Sequence, residues 1–70
     1  MTPGTLAVLN VVHTNNTRIP IYKRGNNVSP AGFLNDNEVC AVTDELGIHN
    51  QIVTSRGEVG WIHSSWLKQV

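Results

Sequence analysis

Seventy residues, with five basic side chains against five acidic ones and no segment that concentrates either sign, bound the chain to one small domain whose function sits on its surface. A chain this short buries only about 60% of the surface its unfolded form exposes, so little is left to wall in an enclosed active-site cavity. Balanced charge weighs against nucleic acid as a partner, because small nucleic-acid binders draw most of their affinity from a basic stripe, and here Arg18, Lys23 and Arg24 are the nearest thing to a cluster.

In chain order, strand signals dominate. Thr5 to His13 is apolar and β-branched and predicts a long first strand, broken by the turn-forming Asn15-Asn16-Thr17. Arg18 to Lys23 alternates Ile19 and Ile21 against Pro20 and Tyr22, a second strand of period two. Pro20 has no ladder hydrogen to donate, which places that strand at an edge or turns its bonding groups outward. Arg24 to Ala31 holds Gly25, Asn26, Asn27, Ser29 and Pro30 and reads as an irregular loop.

Extended structure resumes at Gly32-Phe33-Leu34, turns at Asn35-Asp36-Asn37, and continues as a strand from Glu38 to Thr43. Asp44-Glu45-Leu46-Gly47 is the next predicted turn. Ile48 to Thr54 and Glu58 to Ile62 form a hairpin around Ser55-Arg56-Gly57. Short strands with turn signals every eight to twelve residues or so make an all-β sandwich or barrel. The expected core is Val39, Ala41 or Cys40, Val42, Val53, Ile62 and Leu67, with Phe33 buried beside Leu34.

Little here reads as catalytic chemistry. Cys40 is the only cysteine, and its apolar flanks predict an inert buried thiol, where a reactive one needs an electropositive, partly exposed setting. His13, His49 and His63 lack the spacings that zinc sites use, so no metal and no other cofactor is expected. Asp44-Glu45 reads as solvated turn surface, and Asn15-Asn16-Thr17 and Asn27-Val28-Ser29 match the glycosylation triplet only as turn chemistry. No acid, base and nucleophile set is recognisable, and the expectation is that the chain is not an enzyme. No apolar run nears the eighteen or so residues of a membrane span, so no membrane insertion is expected.

From Ile19 onward the order of features resembles the bacterial SH3 (SH3b) family of cell-wall hydrolases and related envelope proteins. Ile19-Pro20-Ile21-Tyr22 with the polar loop after it is similar to that family's opening strand and RT-type loop. Gly32-Phe33-Leu34 through Glu38-Val39-Cys40-Ala41-Val42 is similar to its middle segment. The most specific match is Gly57-Glu58-Val59-Gly60-Trp61-Ile62-His63-Ser64-Ser65-Trp66-Leu67, close to the family's Gly-Trp-Val/Ile signature with its short helical turn.

The resemblance covers about residues 19–70 and implies a small SH3-like barrel of five to seven strands in a single domain, with 5–13 as an extra or extended first strand. It also implies a 3₁₀ turn at Ser64-Ser65, Ile62 and Leu67 in the core, and Gly60 where a bulky neighbour approaches. Gly47-Ile48-His49 stands where family members often carry Gly-Trp, which weighs against proline-rich ligands.

By that layout Tyr22 and Trp66 flank a groove between the RT-type loop and the 3₁₀ turn, and the expected contacts are Tyr22, Asn26, Asn27, His63 and Trp66. Aromatic rings beside amides suit a short extended peptide, a bacterial cell-wall stem or cross-bridge peptide for instance. The function implied is a non-catalytic module that targets an associated enzyme or complex, in the cell envelope or outside the cell if the chain is part of a longer exported protein, in the cytoplasm if it is whole. A second reading is a structural or assembly protein that pairs with another protein domain through an edge strand, for which Thr5 to His13 would serve, or through the barrel surface.

Overall fold

The computed structural model describes residues 1–10, 18–23 and 29–70. Seven strands, β1 (Leu6–Leu9), β2 (Arg18–Tyr22), β3 (Pro30–Asn35), β4 (Cys40–Leu46), β5 (His49–Val53), β6 (Val59–His63) and β7 (Leu67–Gln69), are joined near the end by one 3₁₀ turn, η1 (Ser64–Trp66). They form a single antiparallel sheet in the order β3-β2-β6-β5-β4-β1-β7. The sheet curls on itself into a barrel-like body of 26 × 23 × 22 Å. The all-β expectation and the 3₁₀ turn are both met.

The curl follows from period-two burial. Where the strands cover the core they turn alternate residues inward, and Ala7, Leu9, Ile19, Ile21, Leu34, Cys40, Val42, Ile52, Ile62 and Leu67 form one buried cluster. Gly60 is a point of close approach between strands. A Cβ there would lie 2.8 Å from Ile21 Cγ1, so the strand crossing that brings β2 against β6 needs a residue without a side chain.

Several expectations are corrected. Val39 is 44% exposed and Val53 is half-buried on the outer face opposite Val59, because the inward phase of β4 and β5 belongs to Cys40, Val42 and Ile52. Phe33 is also half-buried and outward, with the Arg18 guanidinium 4.4 Å over its ring, a cation–π contact. The turn expected over Asp44 to Gly47 is shorter. A bulge between Val42 and Asp44 carries β4 on to Leu46, and Leu46 pairs with His49 across a two-residue loop.

Pro20 is not on an edge strand, since β2 lies between β3 and β6. Its missing hydrogen is tolerated for another reason. Phe33, its partner on β3, donates its N–H to Glu58 Oε1 (3.3 Å) and its carbonyl accepts from Arg56 Nη2. Both groups therefore point away from β2, which makes Pro20–Phe33 a non-hydrogen-bonded pair. Pro20 faces the β6 flank, where pairing is confined to Tyr22 with Trp61. Nor is β1 an edge. It is paired to β4 on one side and β7 on the other, so the described part of the segment proposed for strand addition already has both flanks filled, while 11–17 lie outside the described residues.

Candidate functional site

The β5–β6 hairpin builds the site. Thr54 N–H donates to Glu58 O (2.9 Å) and Ser64 N–H donates to Ile48 O (2.8 Å). Antiparallel pairs alternate between bonded and non-bonded, so the pairs between these two that face outward are the non-bonded ones: Val53–Val59, Gln51–Trp61 and His49–His63. Non-bonded partners have the closer Cα atoms, about 4.5 Å apart, and their side chains touch. The rings of His49 and His63 meet edge to face with centroids 5.7 Å apart.

Tyr22 continues this row. It is the partner of Trp61 across β2–β6, half-buried like Trp61, and lies on the same outward side. Across the outer face the order is therefore Tyr22, Trp61, Gln51, and beyond them Thr43, whose hydroxyl donates to Gln51 Oε1 (3.0 Å). His63 sits one outward position along β6 from Trp61.

At His63 the strand gives way to η1, and the histidine itself makes the transition. It occupies the N-cap with extended φ and ψ, and its Nδ1 accepts from the Ser65 amide (3.1 Å) and lies 2.7 Å from the Ser65 hydroxyl. A side-chain acceptor at this position satisfies one of the turn's otherwise unpaired amides. The turn then sets Trp66 beside His63, ring centroids 6.4 Å apart. Trp66 is half-buried and packs against the core cluster, so only part of its ring is open to the expected groove.

Of the expected contacts, Tyr22 and His63 share the outer face with Trp61, and Trp66 adjoins His63 from η1. Asn26 and Asn27 lie outside the described residues. Trp61, Gln51 and His49 were missed as site residues, although the signal was present: counting back from the Ser55-Arg56-Gly57 loop puts 51 opposite 61 and 49 opposite 63. The same hairpin register brings together two histidines that are fourteen positions apart in the sequence. Among the described residues no three His, Cys, Asp or Glu side chains converge as metal ligands would.

Two titratable groups lie away from this face. The Glu38 side chain is 8% exposed. It accepts from the Asn35 amide (3.0 Å), from Ser55 N–H and Oγ and from Arg56 Nη1 (2.8 Å). Burial alone would raise its pKa, but these hydrogen bonds outweigh it and hold the carboxyl at about 2. Cys40 is buried, and that burial, with Glu38 nearby adding to it, pushes the thiol up to about 11. An un-ionised, shielded thiol is a poor nucleophile.

Compared with family models, with curated proteins and with solved structures, the chain matches none.

Proposed function

We propose that this chain is a non-catalytic binding module of the bacterial SH3 kind that takes a short extended peptide of small residues, such as a cell-wall peptide, on its outer face, and so targets an associated enzyme or complex. The observation that carries this reading is the outward register Tyr22–Trp61–Gln51 with His63 and Trp66 alongside. Two half-buried aromatic rings and an amide on one sheet, with a third ring on the adjoining η1, give flat apolar area and polar contacts at low cost in side-chain entropy. A peptide with little side-chain bulk could lie directly on such rings.

The test is a pull-down with purified bacterial cell wall, followed by titration with short glycine- and alanine-rich peptides. Tyr22→Ala, Trp61→Ala and Trp66→Ala are each expected to weaken binding by about 1–3 kcal/mol, the scale of anchoring aromatics, with native-like far-UV spectra. A folded wild-type domain that ignores every wall preparation and every peptide refutes the proposal. The assembly reading would then rest on β7, which ends the sheet, and would require a stable dimer or hetero-complex in solution.

A further inference from the structure

The peptide reading above leaves open which atoms of a peptide the face would recognise, and the two ring nitrogens of His63 bear on that. The Ser65 amide can only donate, and it donates to His63 Nδ1 at 3.1 Å. An amide donating to Nδ1 calls for a lone pair there, and the Ser65 hydroxyl, 2.7 Å from the same nitrogen, can then donate to it as well, its own direction being set by the tautomer. In a neutral imidazole the proton then sits on Nε2, which becomes a donor. The η1 cap thus fixes the tautomer through the backbone, as a second partner commonly does for a functional histidine.

Gln51 has a similar asymmetry. The Thr43 hydroxyl lies 3.0 Å from its side-chain oxygen and 3.3 Å from its main-chain carbonyl; with the hydroxyl on the nearer, side-chain oxygen, the Nε2 amide is the Gln51 group left to donate. Gln51 and His63 stand on successive outward pairs of the hairpin, 51–61 and 49–63. Such diagonal neighbours are about 7–8 Å apart. An extended peptide repeats its same-side carbonyls every two residues, a spacing of about 6.6–6.8 Å.

We propose that His63 divides its nitrogens between two tasks, Nδ1 holding η1 and Nε2–H donating to a ligand, and that His63 and Gln51 together receive two backbone carbonyls, two residues apart, of an extended peptide lying along β5 and β6. The ligand class is defined by acceptors on the main chain, with the aromatic row beneath it. This inference rests on the peptide-binding reading for its ligand, while the tautomer can be tested without one.

The two ring nitrogens are separable by substitution. Asn carries an oxygen near the position of Nδ1 and nothing at Nε2; Gln carries an N–H near Nε2 and no acceptor at Nδ1. His63→Asn is expected to keep the cap and the melting temperature but weaken binding of an end-blocked tetraglycine peptide about 3- to 10-fold, the range of one hydrogen bond. His63→Gln is expected to lower the melting temperature but bind the same peptide to within about 2-fold of wild type. Gln51→Ala is expected to weaken binding by the same factor as His63→Asn.

In the ligand-free protein, long-range ¹H–¹⁵N correlation on the imidazole is expected to show the Nε2–H form. An Nδ1–H form overturns the tautomer assignment and with it the division of roles. Wild type and His63→Asn binding the peptide equally well overturns the donor role while leaving the peptide reading intact. A wild-type domain that binds no peptide overturns both the reading and the donor role, and the tautomer result then describes the cap alone.

Discussion

Two residues of β6 that face opposite ways give a sharp test of how the strand is oriented. Ile62 is 3% exposed and points into the cluster, whereas Val59 on the same strand is 46% exposed and points outward with Trp61. Ile62→Ala removes three carbon atoms from a closed core. The transfer loss is about 0.8 kcal/mol for each, or about 2.4 kcal/mol, and a residual cavity adds about 1–2 kcal/mol, within the range of about 2–5 kcal/mol for such changes. A seventy-residue domain has about 4–10 kcal/mol in total, so Ile62→Ala should lose a third or more of its stability or unfold outright. Val59→Ala should stay within about 0.5 kcal/mol, as exposed substitutions do. The assay is urea denaturation followed by far-UV circular dichroism, which reads the sheet without depending on either tryptophan. Equal losses for the two variants, or a larger loss for Val59→Ala, would show that the inward phase of β6 is wrong.

Other expectations follow from the same geometry. Gly60→Ala should destabilise by about 1–3 kcal/mol, since its Cβ would press on Ile21; a variant that melts like wild type would mean that β2 and β6 do not approach as described. Cys40 should react slowly with a thiol reagent in the native state and rapidly in denaturant, and fast native labelling would contradict its burial. Glu38, held at about 2 in the fold against an ordinary 4.5, contributes stability that is present above the unfolded value and lost as pH falls through about 4.5 toward 2. After discounting for solvent screening at this surface turn, that loss should be about 1–2 kcal/mol in acid titrations of stability, and Glu38→Gln should remove most of it.

Much of the strand pattern was legible because local chemistry marks it. The Ser55-Arg56-Gly57 loop and the alternation around Ile62 can be read from residues within a few positions of one another, while the close approach at Gly60 and the 3₁₀ turn after His63 follow from the resemblance in the Gly57–Leu67 segment. The phase of β5 was not legible. Ile52-Val53 offers two adjacent apolar residues, and the polar member that turns inward, Asn50, is fully buried, so the alternation that should decide between them is disguised. Half of the Asn50 amide is satisfied, since Oδ1 accepts from the Met1 nitrogen at 2.9 Å, a partner forty-nine positions away, while Nδ2 is buried with no partner among the described residues. The place of β1 between β4 and β7 is equally non-local, and nothing in Leu6–Leu9 alone names its neighbours. In the site, Tyr22, His63 and Trp66 were accessible through the family layout, while Trp61, Gln51 and His49 required the hairpin register to be counted out.

The sheet's edges bear on the choice between a face that binds a ligand and an edge that recruits a strand. An edge strand invites pairing through its unused main-chain groups. On β3 the outward N–H and C=O of Phe33 are already taken, by the Glu58 carboxylate and the Arg56 guanidinium, two side chains standing where the main chain of an added strand would be. This cover depends on Gly32, because a Cβ there would come within 2.6–2.7 Å of Glu58, and on Glu38, which holds the other arm of Arg56. Adding a strand to β3 would require breaking the Arg56–Glu58 and Arg56–Glu38 pairs as well as both bonds to Phe33. At the other end of the sheet, β7 has three residues and exposes Lys68 and Gln69, too short and too polar to template a long pairing. With one edge covered and the other brief, the proposed recognition by the outer face of β2, β6 and β5, where Tyr22, Trp61, Gln51 and His63 stand together, has more support among the described residues than assembly by the edge.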